Sequence, residues 1–245
     1  MACSPKRPMI RDPADRISAL RFLAAFSAAL LAAFALDGAA APFVVRLGPD
    51  RVVLDAPPGF SDSLGLGSPR LQELAESLTS ASNKILLFAL TDADLRRFMG
   101  GDRPDFRRYL LVAVPARLEH ERVGLGQFAD LASEARREMG ALPENADVPP
   151  YLDTRPRGKP QLLAELRSGP LILSVLRGMR LPSKDDADDD RKAQYAFSTT
   201  TLLLVRGKAL TLSVYTGYDG PADIEWLRGA TAAWVDELLR LNRNP

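Results

Sequence analysis

The strongest hydrophobic pattern in the chain is also its simplest. Residues 22–36 read FLAAFSAALLAAFAL, an unbroken apolar run without a charge. Lys6, Arg7, Arg11, Arg16 and Arg21 precede it, and Asp37-Gly38-Ala39-Ala40-Ala41 follows. A positive leader, a short apolar stretch and small residues at its end are the three parts of a secretory signal peptide. As a helix the run spans about 22 Å, whereas a bilayer core of about 30 Å asks for around 20 apolar residues. The pattern therefore predicts a signal-peptide helix over 1–40, cut after Ala40. An uncleaved membrane anchor is the alternative.

Beyond residue 40 the pattern alternates between strand and helix periods. Phe43–Leu47 and 51–54 are short β runs around Gly48-Pro49-Asp50, which predicts a hairpin. Ser68-Pro69 reads as an N-cap with proline at the first helical position, and Leu71, Leu74 and Leu78 predict a helix over 69–80. KILLFAL (84–90) is a dense apolar strand. Thr91 and Asp92 then cap a short helix over 93–99 closed by Gly100-Gly101. FRRYLLVAV (106–114) is the next strand, stopped by Pro115, and 125–139 is a helix with Gly140 as its stop. Residues 141–160 hold five prolines and no periodicity, an irregular segment suited to a linker or a surface lid. GPLILSVL (169–176) is a strand, and 184–191 is a charged loop. Residues 194–205 and 208–216 form a hairpin around Arg206-Gly207. A terminal helix over 221–241 carries Ile224, Leu227, Thr231, Trp234, Leu238 and Leu241 on one stripe.

Consecutive strands at hairpin spacing argue for an antiparallel sheet, and strands that are apolar on both faces argue that helices cover both sides. The fold class is α+β, an α/β/α sandwich with a mainly antiparallel central sheet flanked by helices, in a single domain over 41–245. This element order, with the Leu54-Asp55-Ala56-Pro57-Pro58-Gly59-Phe60 step after the first strands, resembles the PsbP-like sandwich superfamily. The resemblance spans about 43–242 and rests on architecture. That superfamily includes an extrinsic photosystem protein, a Ran-binding import factor and many exported bacterial proteins. It implies an accessory or binding role, and it brings no catalytic residues to carry over.

Composition changes the picture once the leader is set aside. The whole chain has 32 basic and 31 acidic side chains and one cysteine. Removing residues 1–40 takes five of the basic and three of the acidic groups, so 27 and 28 remain and the net charge is near −1. Cys3 leaves with the leader, so the mature chain has no disulfide and depends on its core. Near-neutral charge gives no basic stripe for nucleic acid.

The search for chemistry returns little. His120 is the one histidine and sits in the charged stretch 118–122, as a solvated loop residue. There is no G-x-S-x-G elbow and no S-x-x-K. Asp92/Asp94 and Asp102/Asp105 read as helix caps and loop charges, and the glycine pairs 65/67 and 124/126 as helix-start geometry. Asp186, Asp188 and Asp190 are a weak candidate for a hard cation. Read as a calcium loop from Asp186, however, the register puts Arg191 where glycine is needed and Phe197 where glutamate is needed. A solvated loop is the plainer reading, and no cofactor or metal is expected. One surface stands out: Tyr218, Asp219 and Trp226, where the last strand meets the last helix. Tyr and Trp combine apolar area with a polar handle, which suits ligand or partner recognition. The competing reading is that these aromatics seal the sheet edge against the helix.

The sequence thus predicts a periplasmic or secreted protein with a binding or accessory role in the cell envelope and no catalysis. Two alternatives stand: a periplasmic hydrolase with carboxylates gathered under 141–160, and an assembly factor tethered to the membrane by an uncleaved residue 22–36 helix.

Overall fold

A computed structural model describes residues 41–143, 148–182 and 194–243. The signal-peptide run and the Asp186, Asp188 and Asp190 candidate lie outside the described residues. Those described fall in one compact unit. They build a seven-stranded antiparallel sheet in the order β3-β4-β5-β9-β8-β7-β6, with a separate two-stranded hairpin, β1-β2.

The hairpin is β1 (Phe43–Leu47) with β2 (Asp50–Leu54). It forms where the alternation predicts it, yet it joins no strand of the main sheet. It packs on the sheet's face instead, and the Asn242 side chain takes the place of a neighbouring strand. Asn242 Oδ1 accepts from the Val53 amide at 2.9 Å, and Nδ2 donates to the Val53 carbonyl at 2.8 Å.

The main sheet runs through β3 (Phe60–Asp62), β4 (Asn83–Thr91), β5 (Arg108–Pro115), β6 (Gln161–Gly169), β7 (Ile172–Arg180), β8 (Tyr195–Val205) and β9 (Lys208–Gly217). β5 starts two residues later than its apolar pattern suggests because Phe106 sits at φ 50°, in the left-handed region that strands do not use. The β8–β9 hairpin turns on Arg206 (φ 50°) and Gly207 (φ 75°), two consecutive left-handed residues of the kind that matches strand twist. β3 and β6 were not expected. β3 is three residues long, and β6 is a largely exposed edge whose pairing slips at Leu162/Ala164 and Glu165/Arg167, which erases its alternation.

Helices cover both faces. On one face α1 (Pro69–Ser77) and α2 (Asp92–Met99) place Leu71, Ala75, Leu95 and Phe98 on Phe88, Leu90, Leu111 and Ala113 of β4 and β5. On the same face α3 (Leu125–Met139) places Ala132, Ala135 and Met139 on Leu162, Leu173 and Val175 of β6 and β7. α1 ends three residues before the predicted 80, while α3 keeps the predicted bounds. The other face carries α5 (Pro221–Leu241), which buries Leu227, Thr231, Trp234, Val235 and Leu238. The predicted stripe holds at Leu227, Thr231, Trp234 and Leu238. Within the Pro-rich segment, α4 (Val148–Asp153) buries Leu152 against Gly178 of β7. That part of 141–160 is thus a packed helix instead of irregular chain. Among the described residues no helix is long and apolar enough to cross a membrane.

Candidate functional site

The junction singled out in the sequence is organised by an acid that the reading passed over, Asp223. Pro221 opens α5 at its first position, which puts Asp223 two residues into the first turn, where a carboxylate is favoured by the helix dipole. From there Asp223 accepts the Asp219 amide at 2.9 Å, Arg107 Nη2 at 2.9 Å and Arg108 Nη2 at 3.0 Å. Arg107 also pairs with Asp219. Burial alone would raise the Asp223 carboxyl. The Asp219 amide and the Arg108 and Arg107 guanidiniums outweigh it and hold the group below its ordinary value. The two arginines and two aspartates balance, and Asp223 stays ionised, unsuited to giving up a proton near neutral pH.

The aromatics flank this hub, Tyr218 just after β9 and Trp226 in α5. Arg108 lies 4.0 Å from the Trp226 ring centre, and Phe60 stacks on the same ring at 6.3 Å. Tyr218 packs on Phe197 at 4.9 Å and on Tyr195 at 6.0 Å. Tyr195 donates to Asp153 Oδ1 at 2.7 Å, and burial first, then that bond, pushes its phenol up to about 12. Tyr218 turns towards β8 and Trp226 towards Phe60 of the edge strand β3, and the charges between them answer one another. Tyr218 and Trp226 have no aromatic neighbour in common among the described residues: Tyr218 packs on Phe197 and Tyr195, Trp226 on Phe60.

The other sequence candidates take structural positions. Thr91 Oγ1 caps α2 by accepting the Asp94 amide, Asp92 accepts Ser61 Oγ, and buried Asp94 accepts the Asp105 amide. His120 is exposed, its backbone close against Gly48. Among the described residues no group of three or more His, Cys, Asp or Glu is placed to hold a metal.

A second place was not anticipated. Residues directly opposite in antiparallel strands point to the same side of a sheet. The register sets Arg177 of β7 opposite Ser198 of β8, Ser198 opposite Tyr215 of β9, and Tyr215 opposite Tyr109 of β5. One step along, Thr200 is opposite Ser213. This side is the one on which Leu111 meets α1 and Val175 meets α3, so these six residues form a polar strip on the sheet between the two helical covers. The strip runs on to Leu202 and Thr211, which floor a groove of about 240 Å³ beside Leu131, Glu134 and Ala135 of α3.

The strip differs from the opposite face in one decisive respect. There, hydroxyls of the same strand are paired: Thr199 with Thr231 at 2.6 Å, and Thr201 with Ser174 at 2.7 Å. On the strip, Ser198, Thr200, Ser213, Tyr215 and Tyr109 make no side-chain hydrogen bond to any described residue. Arg177 has no ion pair or hydrogen bond among them either, although its Nε is buried. Tyr109 and Tyr215 stack at 4.5 Å and 15°, and burial, then the neighbouring Tyr215, drives the Tyr109 phenol well above its usual value. The strip is a row of hydrogen-bond donors with an aromatic pair at one end and a cation at the other.

The fold and this strip define an α+β sandwich with a polar sheet face left open between its helices. No family model matches the chain, and no curated protein matches it. A solved structure, the yeast (Saccharomyces cerevisiae) Ran-binding protein Mog1p, is similar over 83% of this chain and 93% of that one, at 12% identity and a TM-score of 0.34.

Proposed function

We propose that this chain is an exported, non-catalytic binding protein of the cell envelope, and that its ligand lies along the β8–β9 strip. The leader pattern of residues 1–40 supports export. The observation that carries binding is the strip itself: six polar side chains on the open sheet face between α1 and α3, without a partner among the described residues and with Arg177 Nε buried, while hydroxyls across the same strand are bonded. Native proteins leave few buried groups such as Arg177 Nε unanswered, because each costs about 1–3 kcal/mol when it loses water without gaining a partner. A bound molecule that supplies the partners turns that cost into affinity.

The test is native mass spectrometry of the protein taken from an envelope fraction, unmodified and as Thr200→Phe, which fills the strip at a half-buried position. The unmodified protein is expected to carry a non-covalent adduct that Thr200→Phe lacks, and both to begin at Ala41. Identical spectra for the two, with both circular-dichroism melts cooperative, overturn the binding reading. A mass that retains residues 1–40 overturns the cleaved, exported form and leaves the tethered one.

A further inference from the structure

We infer that the strip reads an anionic small molecule, with a carboxylate or phosphate held by Arg177 and an apolar or aromatic body laid across Tyr215 and Tyr109; this rests on the strip being a binding site.

The argument is one of charge. No carboxylate of β8 or β9 shares the strip, whose residues on those strands are Ser198, Thr200, Leu202, Thr211, Ser213 and Tyr215. On β6, Leu162 stands opposite Arg177, and Glu165 is taken by Arg136 at 2.9 Å. From α3, Glu134 and Glu138 are exposed and make no ion pair with a described residue. A guanidinium drawn partly into a protein keeps its charge, so it needs an anion or water at its fork. Its planar pair of N–H donors fits a carboxylate or phosphate by two parallel bonds.

The rest of the strip matches such a ligand in kind and in size. Arg177, Ser198, Tyr215 and Tyr109 sit on four adjacent strands, about 14 Å from first to last at the usual strand spacing. Thr200 and Ser213 lie about 7 Å further along the strands. The Tyr109 phenol keeps its proton and remains a donor. The hydroxyls between the two ends offer bonds to acceptor atoms in the ligand's middle.

Full-length protein dialysed free of phosphate is titrated with three fluorescent probes, 1-naphthyl phosphate, 1-naphthoate and neutral 1-naphthol, read by anisotropy. At least one anion is expected to bind tenfold or more tighter than 1-naphthol, and Arg177→Gln to abolish that preference. Arg177→Lys should restore part of it. Whichever anion loses more affinity in Arg177→Gln identifies the head group. Because Arg177 lacks a partner among the described residues, Arg177→Gln should melt at the same temperature as the unmodified chain or higher. A marked fall shows a structural partner and overturns the inference. Anion binding unchanged in Arg177→Gln overturns it as well, as does no binding of any probe at millimolar concentration. If Thr200→Phe abolishes binding of all three probes while Arg177→Gln changes none, the strip is a binding site and only the anionic reading falls. If neither variant changes binding, both readings fall.

Discussion

Replacing Asp223 by Asn tests whether the junction is held by charge. The carboxylate takes three hydrogen bonds, from Arg107, Arg108 and the Asp219 amide. Asn keeps one acceptor oxygen and turns an NH₂ towards the second arginine, so one charge-assisted bond is lost and the other is weakened. Bonds to charged groups contribute about 1.5–3 kcal/mol each. The Arg107 and Arg108 side chains are 41% and 33% exposed and rehydrate in part, so the expected loss is about 2–3 kcal/mol at pH 7. Arg108 Nε is already buried without a partner, which keeps the loss from falling lower. The pH dependence has a definite sign. The folded-state pKa of Asp223 is depressed, so its contribution is complete above the unfolded value of about 3.9 and fades as pH falls through the folded one. Urea unfolding of both proteins from pH 7 downwards should show a gap that is constant to about pH 5 and narrows below pH 4. Other depressed carboxylates, such as Glu165, act equally on both proteins and cancel in the difference. A gap under 0.5 kcal/mol at pH 7, or one that stays constant into acid, would refute the charge-held junction.

Three further outcomes follow from buried contacts. Lys208 is fully buried and donates to the Glu119 and Glu121 carbonyls at 3.0 and 2.6 Å, with Asp50 at 3.5 Å; Lys208→Met should cost about 2–4 kcal/mol in urea unfolding, and a loss below 1 contradicts the assignment. A Cβ on Gly178 would meet Leu163, Phe197 and Leu152 at 2.8, 2.9 and 3.1 Å, so Gly178→Ala should lower stability by about 1–3 kcal/mol; an unchanged midpoint would mean that α4 gives way freely. The Tyr195 phenol is raised to about 12, so its contribution is complete below pH 10 and fades as pH climbs through 12. Tyr195→Phe should therefore close its stability gap to the unmodified chain over that interval, and parallel alkaline curves count against the Asp153 bond.

The elements legible in the sequence are those whose side chains repeat without interruption. α3 and α5 keep their predicted bounds because an apolar stripe and a clear stop residue mark them, Gly140 for α3. β4, β8 and β9 shift by a residue or so at their ends, within ordinary boundary variation. β6 was lost because two register slips and an exposed edge leave no alternation to read. The hairpin was legible as a hairpin, but nothing local says that Asn242, 189 residues away from Val53, would replace its strand partner.

The site was less legible than the fold, for a specific reason. The residues singled out, Tyr218, Asp219 and Trp226, are conspicuous by type, and their neighbours Arg107, Arg108 and Asp223 became relevant only through long-range contacts. Arg177 was hidden by its own chemistry. A charge after GPLILSVL reads as the end of a strand, whereas β7 continues to Arg180. The signal was present nonetheless in β8, where Ser198, Thr199, Thr200 and Thr201 put hydroxyls on both faces of the strand ahead of its apolar 202–205. One face needs its hydroxyls for Thr231 and Ser174. The other carries half-buried Ser198 and Thr200, which have no hydrogen-bond partner among the described residues, and it is the face on which the proposed ligand lies.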